Sequence, residues 1–154
     1  MKKKKKKYSF KRRNKRKTTI KVILINGRQF RLLRYANMWV FPEISTYIYG
    51  LGSPIAMSLL IYQSECFNEY IPVTVNLPDC KHNAGCQFID IYNNEPFLIK
   101  WLINNKFGEL TGRNGRSGFC SYPEFNFYAG ETFRYYKAIN DKLNEKYEIE
   151  IEEE

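Results

Sequence analysis

A single histidine, His82, stands in this chain of 154 residues, with no second one to share a metal or a proton relay. Four cysteines, Cys66, Cys80, Cys86 and Cys120, are too few and too scattered for a disulfide framework, so reduced thiols and a cytoplasmic setting are expected. No run approaches the roughly 20 apolar residues of a membrane helix. The apolar stretch Val22 to Ile25 is soon followed by Arg28, so no signal peptide is read. The lysine and spacing of a Walker phosphate loop are missing, and no paired-carboxylate or nucleophile motif stands out. An enzyme is therefore the least supported class, and no cofactor is implied.

Acidic residues are also wanting in one place. Residues 1–17 contain none, yet hold 12 of the 25 lysines and arginines: Lys2, Lys3, Lys4, Lys5, Lys6, Lys7, Lys11, Arg12, Arg13, Lys15, Arg16 and Lys17. The rest of the chain carries 13 basic and 16 acidic side chains, a net charge of −3, so the overall +9 belongs to this segment and not to the body. Like charges repel and only Tyr8 and Phe10 offer apolar surface, so residues 1–17 read as a disordered basic arm. Residues 18–147 read as one domain, because a hydrophobic fraction of 44% suits a buried core. Residues 148–154, rich in glutamate, read as an acidic tail.

Within the body, two β-branched-rich runs flank Asn26-Gly27, a dipeptide suited to a type I′ hairpin turn. The spacing predicts strands at about 19–26 and 29–35. Arg28, Arg31 and Arg34 recur every three residues, so they cannot all share one strand face. Residues 37–54 are interrupted by Pro42, Gly50, Gly52 and Pro54, and predict an irregular connection with at most one short strand. A second hairpin is expected from strands at about 55–64 and 70–77, then a short strand at 87–92. Asn93-Asn94-Glu95-Pro96 reads as a helix start, with Phe97, Leu98, Trp101 and Leu102 on one face and Gly108 as the terminal cap of a helix over 95–106. Thr111 to Phe127, with Gly112, Gly115, Gly118 and Pro123, reads as a specified loop ending in a strand at 124–128. A second helix over 130–147 is expected to bury Phe133, Tyr136, Ile139 (or Ala138) and Leu143. The fold class is α+β: an antiparallel sheet of five or six strands with two helices on one face.

Several short motifs carry a likeness. Thr74-Val75-Asn76-Leu77-Pro78, Phe88-Ile89-Asp90 with Asn93-Asn94, Thr111-Gly112-Arg113 with Gly115, Ser117-Gly118-Phe119-Cys120 and Tyr122-Pro123 follow in order, with Phe125 or Phe127 behind. Over about 72–128 the sequence resembles a family of small uncharacterised proteins carried by conjugative transposons, plasmids and phages of Firmicutes-like bacteria. The resemblance implies a mobile-element origin and no established activity; the arm and the acidic tail lie outside it.

Four groups of residues are candidate sites. The arm attracts polyanions by counterion release without reading sequence. Nucleic acid, or a nucleoprotein complex, is its leading partner; an anionic membrane surface and a merely solubilising arm, meeting the C-terminal glutamates, are the alternatives. Arg113 and Arg116, in a glycine-rich stretch, suggest a phosphate cradle, against the plainer reading in which the glycines permit a tight path and Arg113 pairs with a core carboxylate such as Asp90. Cys80, His82, Cys86 and Cys120 offer four ligands suited to zinc, but their spacing fits no familiar zinc motif, and buried inert thiols are favoured. Asp90 and Glu95 make an acid–base pair only if the fold joins them. These readings lead to a non-enzymatic binding protein acting on nucleic acid or on a host nucleoprotein machine; that it belongs to a mobile element and inhibits a defence system is what the resemblance implies. An accessory DNA- or RNA-binding factor is the second reading.

Overall fold

The computed structural model describes residues 20–50 and 52–152; the basic arm lies outside them. Five strands form an antiparallel meander: β1 (Ile20–Ile25), β2 (Arg28–Tyr35), β3 (Met38–Thr46), β4 (Ile55–Gln63) and β5 (Cys66–Pro72). Asn26 and Gly27 join β1 to β2 with φ of 52° and 78°, the left-handed pair that a tight hairpin turn requires. The chain then crosses to a second sheet, ordered β6-β7-β9-β8, from β6 (Thr74–Val75), β7 (Cys86–Ile89), β8 (Glu109–Ser117) and β9 (Cys120–Asn126). Two α-helices, α1 (Leu98–Asn104) and α2 (Glu131–Glu152), and a 3-10 turn at Phe127–Ala129 complete the described body. The α+β class holds, but nine strands in two sheets replace the expected single sheet of five or six.

Polar stitches join the sheets where the chain changes over. The Val73 amide donates to the Met57 carbonyl at 2.9 Å, and the Asp90 amide to the Val73 carbonyl at 2.9 Å. The Met57 amide donates to Thr74 Oγ1 at 3.0 Å, and buried Gln87 Nε2 to the Ile55 carbonyl at 3.1 Å. Around these bonds one apolar core gathers Leu33, Val40, Ile44 and Leu59 of the first sheet with Phe125 of the second. Leu98 and Leu102 of α1 and Phe133 and Tyr136 of α2 join the same core.

Residues 37–54 correct the expected irregular connection, because β3 runs through Pro42. The β2–β3 ladder stops at Leu33↔Val40, so the next non-adjacent partners, Arg31 and Pro42, are not paired. Helix α2 closes that gap: Tyr136 Oη donates to the Arg31 carbonyl at 2.6 Å and Asn140 Nδ2 to the Pro42 carbonyl at 3.0 Å. A strand residue's N–H and C=O point the same way, so the N–H that proline lacks falls where β2 has already departed. Of the expected buried side of α2, Phe133 and Tyr136 are buried, Ile139 and Leu143 half-buried, and Asn140 is the deep residue that the pattern missed.

Further expectations are corrected. β5 begins at Cys66, because Ser64 and Glu65 take φ of 53° and 64° and close a two-residue turn. Helix α1 is shorter than 95–106: Asn94 Nδ2 donates to the carbonyls of Pro72 and Asp90, Phe97 is the N-cap, and Lys106 (φ 63°), not Gly108, takes the left-handed position at its end. The segment 111–127 is not a loop but the hairpin of β8 and β9. Helix α2 continues to Glu152, through most of the expected tail.

Candidate nucleic-acid interface

Pairing register assigns side chains to faces. On the first sheet Arg34 of β2 faces Trp39 of β3, Trp39 faces Tyr62 of β4, and Tyr62 faces Phe67 of β5. One cation and three aromatic rings thus form a row across four strands, set about 4.8 Å apart by strand spacing. Trp39, Tyr62 and Phe67 are half-buried, and Arg34 is exposed. The Arg34 guanidinium sits 5.0 Å from the Trp39 ring centroid, and Lys21 Nζ, from β1 on the same face, 5.8 Å from it. Arg28 shares this face and Arg31 does not; its guanidinium lies 5.1 Å from Tyr135 instead. The three-residue spacing of these arginines is divided as the strand period demands.

This face also coils. The Phe30 ring of β2 lies 5.2 Å from Phe41 and 6.1 Å from Phe67 of β5, although β3 and β4 lie between those strands. Leu32 and Phe41, two residues along β2 and β3 on this same face, are buried, and the Phe41 ring lies 5.6 Å from Tyr136 of α2. The row therefore adjoins a buried apolar patch, with cations at the β1–β2 side. Aromatic rings with cations beside them can stack unpaired bases and hold their phosphates. The basic arm joins the body at this side, since Ile20 is the first residue of β1.

The other candidates are placed elsewhere. Thr111, Gly112 and Arg113 form a bulge opposite the single residue Glu124, between the pairs Leu110↔Phe125 and Asn114↔Pro123. Glu124 is wholly buried, and its carboxylate accepts from the Asn83 amide at 2.9 Å and from Thr111 Oγ1 at 2.7 Å. Arg113 lies 3.6 Å from it, so its partner is Glu124 and not Asp90. Asp90 instead accepts the amides of Tyr92 (3.2 Å) and Asn93 (3.1 Å). Gly112 takes φ of 91° in this bulge and the Arg113 amide donates to Thr111 Oγ1 at 3.1 Å, while Arg116 is exposed on β8. Gly115 lets this hairpin pass over the core, since a Cβ there would come within 2.7 Å of the Phe88 ring.

Among the described residues, no three His, Cys, Asp or Glu side chains cluster to hold a metal. Cys80 Sγ donates to the Arg116 carbonyl at 3.3 Å, and His82 Nδ1 lies 3.2 Å from the Asn83 carbonyl. Cys86 is buried; burial, and then the nearby Glu124 charge, push its thiol up to about 11. Cys120 pairs with Ser117 at the hairpin turn. No helix of the described residues is long and apolar enough to cross a membrane.

Residues 42–149 match the family described as "Domain of unknown function (DUF4313)". The chain belongs to this family. The matched span contains the motif segment 72–128 and extends it to most of β3 and nearly all of α2, leaving β1, β2 and Trp39 outside. No curated protein and no solved structure matches the chain. The aromatic row went unread in the sequence because its members lie far apart along the chain and only strand register unites them.

Proposed function

We propose that this chain is a non-enzymatic mobile-element protein that binds nucleic acid, with its arm supplying long-range attraction and the Trp39 face supplying the stacking surface. The observation that carries this reading is the row Arg34–Trp39–Tyr62–Phe67 with Lys21 beside it, on the side where the arm enters the fold. The charge distribution supports it: a body of net −3 does not attract a polyanion by itself, whereas 12 cations in 17 residues do. The mobile-element setting rests on the family resemblance. A nucleoprotein of a host defence system is the larger target that this setting suggests.

The test is fluorescence anisotropy of labelled oligothymidylate, with a matched duplex as the comparison. If half of the arm's cations meet phosphates, log affinity for the single strand falls against log salt with a slope of about −4. Full-length protein with the arm's lysines and arginines changed to glutamine loses most of that slope. Trp39→Ala keeps the slope but weakens single-strand binding by about 1–3 kcal/mol, the value of one stacked base. Unchanged binding in both variants contradicts the reading.

A further inference from the structure

A cleft of about 800 Å³ opens between the β2–β3 turn, β5 and the segment leading into α1. Its lining contains Tyr35, Tyr70, Tyr92 and Phe97, apolar Met38 and Ile71, and one charged side chain, Glu95. Among the described residues, no lysine or arginine lines it. Tyr35 is only 2% exposed, and its hydroxyl has no hydrogen-bond partner among the described residues. A buried hydroxyl left unpaired costs about 1–3 kcal/mol, so a group that satisfies it gains correspondingly. Burial, and then the charge of Glu95, push the Tyr35 phenol up, so the Glu95 field reaches the cleft.

Aromatic walls, a single carboxylate and an unpaired hydroxyl suit a cation with an apolar stem. The rings attract positive charge through their faces, the carboxylate and hydroxyl accept N–H bonds, and the stem packs on Met38 and Ile71. The chain supplies such groups close by. Ile20 pairs with Leu33, and Tyr35 lies two residues farther along β2. Only residues 18 and 19 separate Ile20 from Lys17, so the arm begins within about 7–10 Å of Ile20 even when extended.

We propose that this cleft binds the basic arm in cis, taking one lysine or arginine side chain from residues 2–17 between its rings and against Glu95 and the Tyr35 hydroxyl. This goes beyond nucleic-acid binding and is tested in its absence. One docked cation leaves the other arm cations free, and fixes the arm to the body at the β2–β3 turn.

The experiment follows the Met38 methyl resonance in full-length protein labelled at methionine, with buried Met57 as the internal control. The expected result is a Met38 shift that differs between the parent and the full-length chain with all 12 arm cations changed to glutamine. Glu95→Gln moves the parent's Met38 resonance to the neutralised position and leaves Met57 unmoved. Ethylguanidinium added to the neutralised chain returns Met38 toward the parent position. Identical Met38 shifts in parent and neutralised chains overturn the proposal. That holds even if ethylguanidinium shifts Met38, because the cleft would then take its cation from another source.

Discussion

Glu124 shows how a motif can be structural to its last atom. Thr111-Gly112-Arg113 bulges around this carboxylate, which accepts the Asn83 amide at 2.9 Å. Glu124→Ala strands that amide, and is expected to cost about 1–3 kcal/mol or more. Arg113→Ala removes a half-exposed partner and is expected to cost under about 1 kcal/mol. Urea unfolding midpoints rank the two; a larger loss for Arg113→Ala contradicts this assignment. Cys86 adds a pH signature. Its folded thiol titrates at about 11 against an ordinary value of 9.0, so between those values the folded state holds the proton that the unfolded state releases. Stability contributed by this group is full below about pH 9 and is lost as pH rises toward 11. Buried tyrosines such as Tyr136, also pushed up, act in the same direction. The fall in unfolding midpoint between pH 8 and pH 10 is therefore expected to be smaller in Cys86→Ala than in the parent; equal falls refute the Cys86 share.

The strands record which turns announce themselves. Asn26-Gly27 was legible because its residue types tolerate positive φ. Ser64-Glu65 adopts the same left-handed conformation with residues that give no such signal, so the sequence pattern does not mark the start of β5. Replacing this pair with Asn-Gly is expected to stabilise the protein by about 1 kcal/mol by relieving left-handed strain; an unchanged or lower midpoint in urea contradicts it. Strand β3 was hidden by Pro42, whose missing N–H is harmless only because β2 diverges and Tyr136 and Asn140 fill the gap. That compensation comes from about 100 residues away, at |i−j| of 105 and 98, beyond any local pattern. The helices were legible in kind from their apolar spacing. The start of α1 was not, because Asn93 and Asn94 serve the Asp90 turn and the Pro72 carbonyl instead of a helix cap.

At the scale of the whole chain, residues 1–17 are strongly cationic and the remainder is mildly acidic, a contrast legible because charge is read residue by residue. The surface joined to the arm was not legible. Arg34, Trp39, Tyr62 and Phe67 become neighbours only through the register of four strands. Of the cysteine and histidine candidates, Cys80 and His82 are held in separate backbone contacts. Trp39 reports most directly on the account, since the chain has only one other tryptophan. In Trp101→Phe protein, oligothymidylate added at low salt should quench Trp39 fluorescence in proportion to bound fraction, because a base stacks on its ring. Saturated binding with Trp39 emission unchanged would contradict the Trp39 face as the nucleic-acid surface.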